Sequence, residues 1–134
     1  MDRIDIHMQV PRVEYAKLRD MRQGESSADV RKRVEAARER QRVRFEGMGI
    51  ASNADMRPAQ VRKFCALDEA CQNLMKTAMR QLQLTARAYH RVFKLSRTIA
   101  DLVGSEAITQ VHLAEALQYR PKLELMKDYW RLLV

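Results

Sequence analysis

The sequence has few residues that break regular structure or cross-link it: four glycines, three prolines and two cysteines among 134 residues. Two cysteines are too few for a disulfide framework, and scarce glycine and proline favour long regular elements over loops. Aromatic residues make up only 6% of the chain, so its eight methionines are expected to fill part of the core. No run of about 18 apolar residues occurs, which excludes a membrane-spanning helix, and no signal-peptide pattern is present. We therefore expect a cytoplasmic protein.

Motifs of several enzyme classes are also missing. The sequence contains no phosphate-binding loop of the form GxxxxGK[ST], no GxGxxG, no GxSxG and no HExxH. Cys65 and Cys71 lie on or beside an apolar face, which predicts core residues rather than ligands. The three histidines are scattered, so we predict no metal site. This chain alone is expected to catalyse no reaction.

Positive charge is concentrated in the middle of the chain. The net charge is +8, and residues 57–97 carry nine lysines and arginines against two acidic residues. Residues 1–50 are closer to balance, with twelve basic and nine acidic residues. A phosphate-rich partner, either a nucleic acid or a nucleotide, is the natural candidate for such a region. The alternative is a solvated face whose charge serves solubility.

Helical periodicity dominates from residue 26 onward. Ser26 with Asp29 three residues later is a variant of the capping box, and it opens a helix whose apolar stripe is narrow. Thr85 and Gly104 enclose the strongest helical pattern in the chain. Short connections favour a compact bundle, so the predicted fold class is all-α. About five helices are predicted, over residues 27–46, 58–65, 67–83, 86–103 and 110–120.

The first residues, DRIDIHMQVP (2–11), do not fit this pattern. Apolar and polar residues alternate from Ile4 to Val10, and Pro11 ends the run, which predicts one β-strand. A strand cannot satisfy its own backbone donors and acceptors without a neighbouring strand. The predicted organisation is an orphan strand over 1–10, a connector over 11–25, a helical domain over 26–120 and a tail over 121–134.

Arg87 is the position that a purely structural interpretation explains least well. It lies in the first turn after the Thr85 cap, where the helix dipole makes a cation unfavourable by roughly 0.3–1 kcal/mol. Arg91 follows one turn later on the same face. Free N–H groups at a helix start, together with an arginine, form an anion site. We interpret Arg87 as a phosphate-directed arginine; the alternative is a surface arginine paired with an acid elsewhere.

The chain resembles the C-terminal part of Mg-chelatase-like AAA+ ATPases of the ComM/YifB type. Four segments carry the resemblance, in the same order as in that family: DRIDIHMQVP (2–11), GESSADVRKRVEAARERQ (24–41), NADMRPAQVRKFCALDEA (53–70) and LTARAYHRVFKLSRTIADLVGSEAITQVHLAEALQYR (84–120). The resemblance implies that residues 1–10 are the last strand of the AAA+ core and that the helices form the lid. The sheet to which this strand belongs would then lie upstream of the chain. The chain departs from the family at Arg57, where a small cap is usual, and in the tail, to which no role is assigned.

The resemblance also implies roles for two arginines. DRID (2–5) is similar to the tetrad that supplies an arginine finger in magnesium-chelatase I subunits and MCM helicases, which gives Arg3 a catalytic role at the neighbouring subunit's ATP. Arg87, in TARAY, matches the sensor-2 arginine that contacts the γ-phosphate. The implied cofactors of the full-length parent are ATP and Mg²⁺. We expect this chain alone to bind neither tightly.

The parent implied by the resemblance is a ring-shaped, usually hexameric, motor that remodels DNA by branch migration in natural transformation. Its implied partners are the N-terminal AAA+ core, neighbouring subunits and DNA, with no membrane. Arg91 and Lys94 are candidate DNA-contacting residues. Two other functions stay open. One is a free-standing basic module that binds nucleic acid through residues 31–44 and 57–97; the other is the motor subunit of a magnesium chelatase.

Overall fold

The structure, a computed structural model, describes residues 3–20 and 22–121. Over these residues it consists of helices and connections, which confirms the all-α bundle. None of the helices described is both long and apolar enough to cross a membrane. The elements are α1 (Tyr15–Leu18), α2 (Ser27–Arg44), a 3-10 turn (Asn53–Asp55), α3 (Pro58–Phe64), α4 (Glu69–Gln81), α5 (Ala86–Val103) and α6 (Gln110–Gln118). The predicted tail lies, after Pro121, outside the described residues.

Short-range signals place the starts of α2 and α5, and the end of α5, where the sequence predicts them. The Ser26 hydroxyl accepts a hydrogen bond from the Asp29 amide at 3.2 Å, which satisfies an orphan donor at the start of α2. Thr85 caps α5 in the same way, by accepting from the Ala88 amide at 3.1 Å. Gly104 ends α5 with φ = 75°, a left-handed conformation that favours glycine.

The unusual cap position Arg57 is accommodated by the next turn. The Gln60 side chain accepts a hydrogen bond from the Arg57 amide at 3.0 Å, and Pro58 supplies a backbone angle already suited to a first helical residue. A small capping side chain is therefore not required for α3 to begin at this point.

Helix α5 is the centre of the bundle. α2, α3, α6 and the 3-10 turn pack against it, while α4 packs against α6. Val92 of α5 and Leu113 of α6 are only 1% and 0% exposed. Complete burial of such a side chain contributes about 1.5–3 kcal/mol. The position of α5 matters for function because the candidate site lies on a partly open face of this helix.

Only the C-terminal half of α2 packs on the bundle. Ala37, Gln41 and Phe45 are buried, but Val30 and Val34, which belong to the same predicted apolar stripe, are 38% and 41% exposed. No residue of α2 before Ala37 is buried. The stripe therefore continues past the bundle and leaves an apolar edge on the first turns of α2.

The predicted strand over residues 1–10 is not present in the part of the segment that the structure describes, residues 3–10. Those residues form no β-ladder, because no neighbouring strand is available among the described residues. The segment lies against the bundle instead. The His7 amide donates to the Tyr119 carbonyl at 2.8 Å, and Arg120 Nη1 donates to the Ile4 carbonyl at 2.8 Å.

Candidate functional site

Three cations share one face of α5. Arg87, Arg91 and Lys94 are spaced by four and three residues, which places successive side chains above one another on a helix. Arg87 is exposed, and both Arg91 and Lys94 are partly exposed, so this face of α5 is partly open. Nearby positive charges on a partly covered surface attract an anion.

The cation face forms one wall of a cavity of about 470 Å³. The opposite walls come from the N-terminal segment, from the region of the 3-10 turn and from the start of α3. The residues that line it are Asp5, Ile6, Ala54, Met56, Pro58, Val61, Arg87, His90, Arg91, Lys94, Leu95 and Thr98. A cavity with an apolar floor and several converging polar groups is the usual form of a ligand site.

Arg87 is the exposed member of the three. It lies in the first turn of α5, where the helix start has a partial positive charge. In residues 3–20 and 22–121 it has no hydrogen bond or ion pair. The alternative predicted for Arg87, an ion pair with an acid elsewhere, is therefore not found in the described part of the chain.

Arg91 and Lys94 are engaged, each by a group from another part of the chain. Arg91 forms an ion pair with Asp5, 86 residues away in sequence. The Lys94 ammonium donates to the Ala54 carbonyl at 3.1 Å. Both candidate DNA-contacting residues thus lie in the same cavity as Arg87, and their contact with DNA stays a prediction.

Sequence reasoning missed Asp5 and His90 as members of this site. His90 follows Arg87 by three residues, so helical spacing alone places it on the same side of α5. Its Nδ1 atom is buried and has no hydrogen-bond partner in the described structure. No comparable signal exists for Asp5, because its approach depends on how the N-terminal segment folds back.

Arg3 is exposed and does not line the cavity. The structure therefore does not bring the two arginines of the resemblance, Arg3 and Arg87, into one site. A finger that acts on a neighbouring subunit would not need to approach Arg87 within one chain. Its role stays a prediction.

A buried ion-pair network lies beside the cavity and fixes α5 in place. The Asp101 carboxylate accepts from both terminal nitrogens of Arg44, at 2.8 and 2.5 Å, and from the Asn53 amide nitrogen at 2.9 Å. These contacts join α2, the 3-10 turn and α5 at one point. The Asp101 side chain is fully buried, so the network is a structural support rather than a ligand site.

Arg97 completes this network from within α5. Its guanidinium lies 3.3 Å from the Asp101 carboxylate and donates to the carbonyls of Glu106 and Ser105 at 2.8 and 2.7 Å. The loop between α5 and α6 is thereby tied to the helix. Burial by itself would raise the pKa of Asp101, but the hydrogen bonds from Arg44 and Asn53 and the charges of both arginines outweigh it and lower this pKa.

Several arginines of α2 are committed to internal contacts. Arg42 pairs with Glu39 at 2.5 Å, and Arg33 pairs with Glu25 at 2.8 Å. Arg40 donates to the Asp101 carbonyl at 2.8 Å. The carboxylates of Glu25 and Glu39 therefore offset two of the positive charges of residues 31–44.

Both cysteines are core residues, as the sequence predicts. Cys65 and Cys71 are 3% and 0% exposed and are not joined by a disulfide. Burial raises the pKa of each thiol to about 11. The described residues contain no group of three His, Cys, Asp or Glu side chains that could hold a metal ion.

The fold and the site together define a helical domain whose central helix presents a basic face to a cavity. Comparison with known proteins gives the family. The profile of the family described as "Magnesium chelatase, subunit ChlI C-terminal" matches residues 24–120. The chain belongs to this family, and it corresponds to the C-terminal region of proteins of the ComM/YifB type.

Similar proteins are known from several bacteria. Competence protein ComM of Haemophilus influenzae is 38% identical over 128 residues, which is 95% of this chain and 24% of that protein. The protein YifB of Escherichia coli is 38% identical over 121 residues, 90% of this chain and 23% of that protein. A Mycobacterium tuberculosis protein, Rv2897c, is 29% identical over 120 residues, 90% of this chain and 24% of its own length. The chain therefore spans about a quarter of the length of these relatives.

Proposed function

We propose that this chain is the helical lid of a Mg-chelatase-like AAA+ ATPase and that Arg87 is its sensor-2 residue, directed at the γ-phosphate of ATP. The observation that carries the proposal is the position of Arg87. It lines the cavity from the first turn of α5 and has no partner in the described structure. A guanidinium in this position stabilises the negative charge that develops on a transferring phosphoryl group.

The residues of the cavity fit the phosphate part of ATP. Three cations line it against a single carboxylate among the described residues, and its volume of about 470 Å³ admits a phosphate chain. The cavity does not fit the Mg²⁺ ion in the same way, because the described residues contain no set of side chains that could hold a metal ion. We assign the Mg²⁺ ligands and the phosphate-binding loop to the upstream part of the parent protein.

We assign Arg3 to the ATP site of a neighbouring subunit in a homo-oligomeric ring, taken to be a hexamer. Its exposure leaves it free for such a contact. Three of the alternating apolar residues, Ile4, Met8 and Val10, are 51%, 70% and 83% exposed. This chain therefore leaves apolar side chains of the segment uncovered. We propose that residues 1–10 complete the sheet of the upstream AAA+ core, that residues 11–25 connect it to the lid, and that residues 26–120 are the lid itself.

We further propose that the parent remodels DNA by branch migration. The support is the family membership and the name of the Haemophilus influenzae relative, a competence protein. A second candidate, the motor subunit of a magnesium chelatase, is favoured by the family's own description. Stimulation of the parent's ATP hydrolysis by branched DNA would support the first, whereas stimulation only by a partner that carries a porphyrin would support the second.

Hydrolysis by the full-length parent tests the sensor-2 assignment. Arg87→Ala should reduce the rate by about 100-fold or more, because loss of one donor to developing charge typically has that effect. Arg91→Ala should reduce it much less, and the exposed Arg80 of α4 provides a matched control, Arg80→Ala. Near-normal hydrolysis by Arg87→Ala would refute the assignment.

Mixed rings test the division of roles between the two arginines. Arg3→Ala and Arg87→Ala subunits should each be inactive alone. If Arg3 acts on the neighbouring subunit's ATP, mixing them restores some sites in which both arginines are intact. No recovery on mixing, with ring assembly verified by analytical ultracentrifugation, would contradict an arginine finger at Arg3.

The free-standing nucleic-acid module is tested with the 134-residue chain itself. Submicromolar binding of duplex or forked DNA at physiological salt would favour that module over the lid. We expect weak binding only, with the steep dependence on salt that phosphate contacts produce.

A further inference from the structure

The ion pair between Asp5 and Arg91 places a carboxylate inside the cavity that the cations of α5 line. Among the described residues that line the cavity, Asp5 is the one acid; it shares the cavity with Arg87 and Lys94 and pairs with Arg91. It reaches Arg91 from the far end of the chain, and its side chain remains 55% exposed while that of Arg91 is 26% exposed. A carboxylate and a phosphate oxygen compete for the same face of a guanidinium.

Among the described residues, two hydrogen bonds to backbone groups join the segment that carries Asp5 to the bundle. The His7 amide donates to the Tyr119 carbonyl, and Arg120 donates to the Ile4 carbonyl, each at 2.8 Å. The apolar residues on either side of Asp5 are only half-buried, since Ile4 and Ile6 are 51% and 47% exposed. The departure of the segment from α5 therefore exposes less apolar area than the loss of a fully buried core segment would.

The cations of the cavity are not neutralised by what they contact. Asp5 offsets one of the three charges, Lys94 contacts only a backbone carbonyl, and Arg87 has no partner in the described structure. The cavity therefore keeps an excess of positive charge even with Asp5 in place. A ligand with several negative charges gains more there than a single carboxylate does.

We propose that Asp5 is an internal competitor for polyphosphate: an entering phosphate chain takes its place on Arg91, and residues 4–7 move away from α5. The proposal rests on the proposed function in so far as the natural anion is the triphosphate of a nucleotide. It extends that function by making Arg91 a second phosphate-contacting residue. In the 134-residue chain Asp5 occupies Arg91 when the cavity holds no phosphate, whereas in the parent we place residues 1–10 in the sheet of the core.

Titration of the 134-residue chain with inorganic tripolyphosphate tests the competition, followed by NMR shifts of backbone amides. Asp5→Asn should bind about two- to five-fold more tightly than wild type, the range expected from one partly exposed ion pair. Asp20→Asn is the matched control, because Asp20 is an exposed acid of the same N-terminal region that pairs with Arg22 outside the cavity. It should bind as wild type does.

Two further measurements make the result specific. In the presence of Arg91→Ala, the substitution Asp5→Asn should no longer increase the affinity for tripolyphosphate. In wild type, saturation with tripolyphosphate should shift the His7 amide resonance, because residues 4–7 leave the bundle. Equal gains in Asp5→Asn and Asp20→Asn, no gain in Asp5→Asn, or no binding by any of these proteins would overturn the proposal.

A single-stranded oligonucleotide distinguishes the source of the phosphate. If Asp5→Asn binds tripolyphosphate more tightly than wild type but binds the oligonucleotide equally, the natural ligand is a nucleotide triphosphate. If Asp5→Asn binds only the oligonucleotide more tightly, the proposal is overturned. Failure of the sensor-2 assignment is seen separately, as normal hydrolysis by Arg87→Ala in the full-length parent. The tripolyphosphate titration needs no hydrolysis, so the two outcomes are distinguishable.

Discussion

The carboxylate of Asp101 accepts hydrogen bonds from both terminal nitrogens of Arg44, 57 residues earlier in the chain, at 2.8 and 2.5 Å. The Asp101 side chain is fully buried, and that of Arg44 is 16% exposed. A paired charge in such surroundings adds little net stability against an apolar replacement, but loss of one partner leaves the other charge uncompensated. The pair therefore fixes how α2 and α5 pack together.

Replacement of Asp101 by asparagine should destabilise the chain strongly. Asp101→Asn leaves the guanidinium groups of Arg44 and Arg97 without their carboxylate, and removal of one partner of a buried pair costs about 3–5 kcal/mol. Urea unfolding followed by circular dichroism measures the change. The exposed pair of Asp20 and Arg22 supplies the control, and Asp20→Asn should change stability little. Similar stabilities of the two variants would contradict the structural role of Asp101.

The same carboxylate predicts a loss of stability in acid. Its pKa in the folded state lies below its usual value of 3.8, so the unfolded state binds the proton more readily. The contribution of Asp101 is therefore fully present above the unfolded pKa and is lost as pH falls through the folded one. The difference in free energy of unfolding between wild type and Asp101→Asn should be constant near neutral pH and shrink below about pH 4. A difference that grows in acid would refute this sign.

Short-range features of the fold could be predicted from the sequence, and long-range ones could not. Capping at Ser26 and Thr85 depends on groups three residues apart, so the residues themselves predict the helix starts. The ion pair of Arg44 and Asp101 depends on how two helices pack, and no local pattern specifies it. Val34 illustrates the same limit, since periodicity predicts its face but not whether the bundle extends far enough to cover it.

The candidate site likewise contains residues that local spacing predicts and residues that only the tertiary structure brings together. Arg87, Arg91 and Lys94 occupy one helix, so their common face follows from spacing alone. The wall formed by Asp5 requires the chain to return to α5 after 86 residues. The alternation in residues 4–10 predicts a strand, but pairing needs a neighbouring strand that the described residues do not contain. Tertiary surroundings, rather than local propensity, decide the conformation of that segment.

Both thiols should be unreactive in the folded protein. Cys65 and Cys71 are buried, and a pKa of about 11 leaves only a small fraction as the reactive thiolate near neutral pH. Labelling with iodoacetamide, followed by mass spectrometry, should proceed only after unfolding in urea. Ser27→Cys, on the exposed first turn of α2, provides a thiol that should react rapidly under native conditions. Native labelling of Cys65 or Cys71 at the rate of that control would contradict their burial.

Removal of the Arg87 side chain should leave the stability of the 134-residue chain unchanged or slightly increased. Arg87 makes no hydrogen bond or ion pair in the described structure that its loss would break, and it lies at the positive end of α5. Alanine is the better helix former, and loss of an unfavourable interaction with the dipole contributes roughly 0.3–1 kcal/mol. Thermal unfolding of Arg87→Ala measures the effect. Arg97→Ala is the matched comparison on the same helix, and it should be strongly destabilising because Arg97 is 3% exposed and ties Asp101 to the following loop. If Arg87→Ala instead lowers stability as Arg97→Ala does, Arg87 is a structural residue and its assignment to phosphate is wrong.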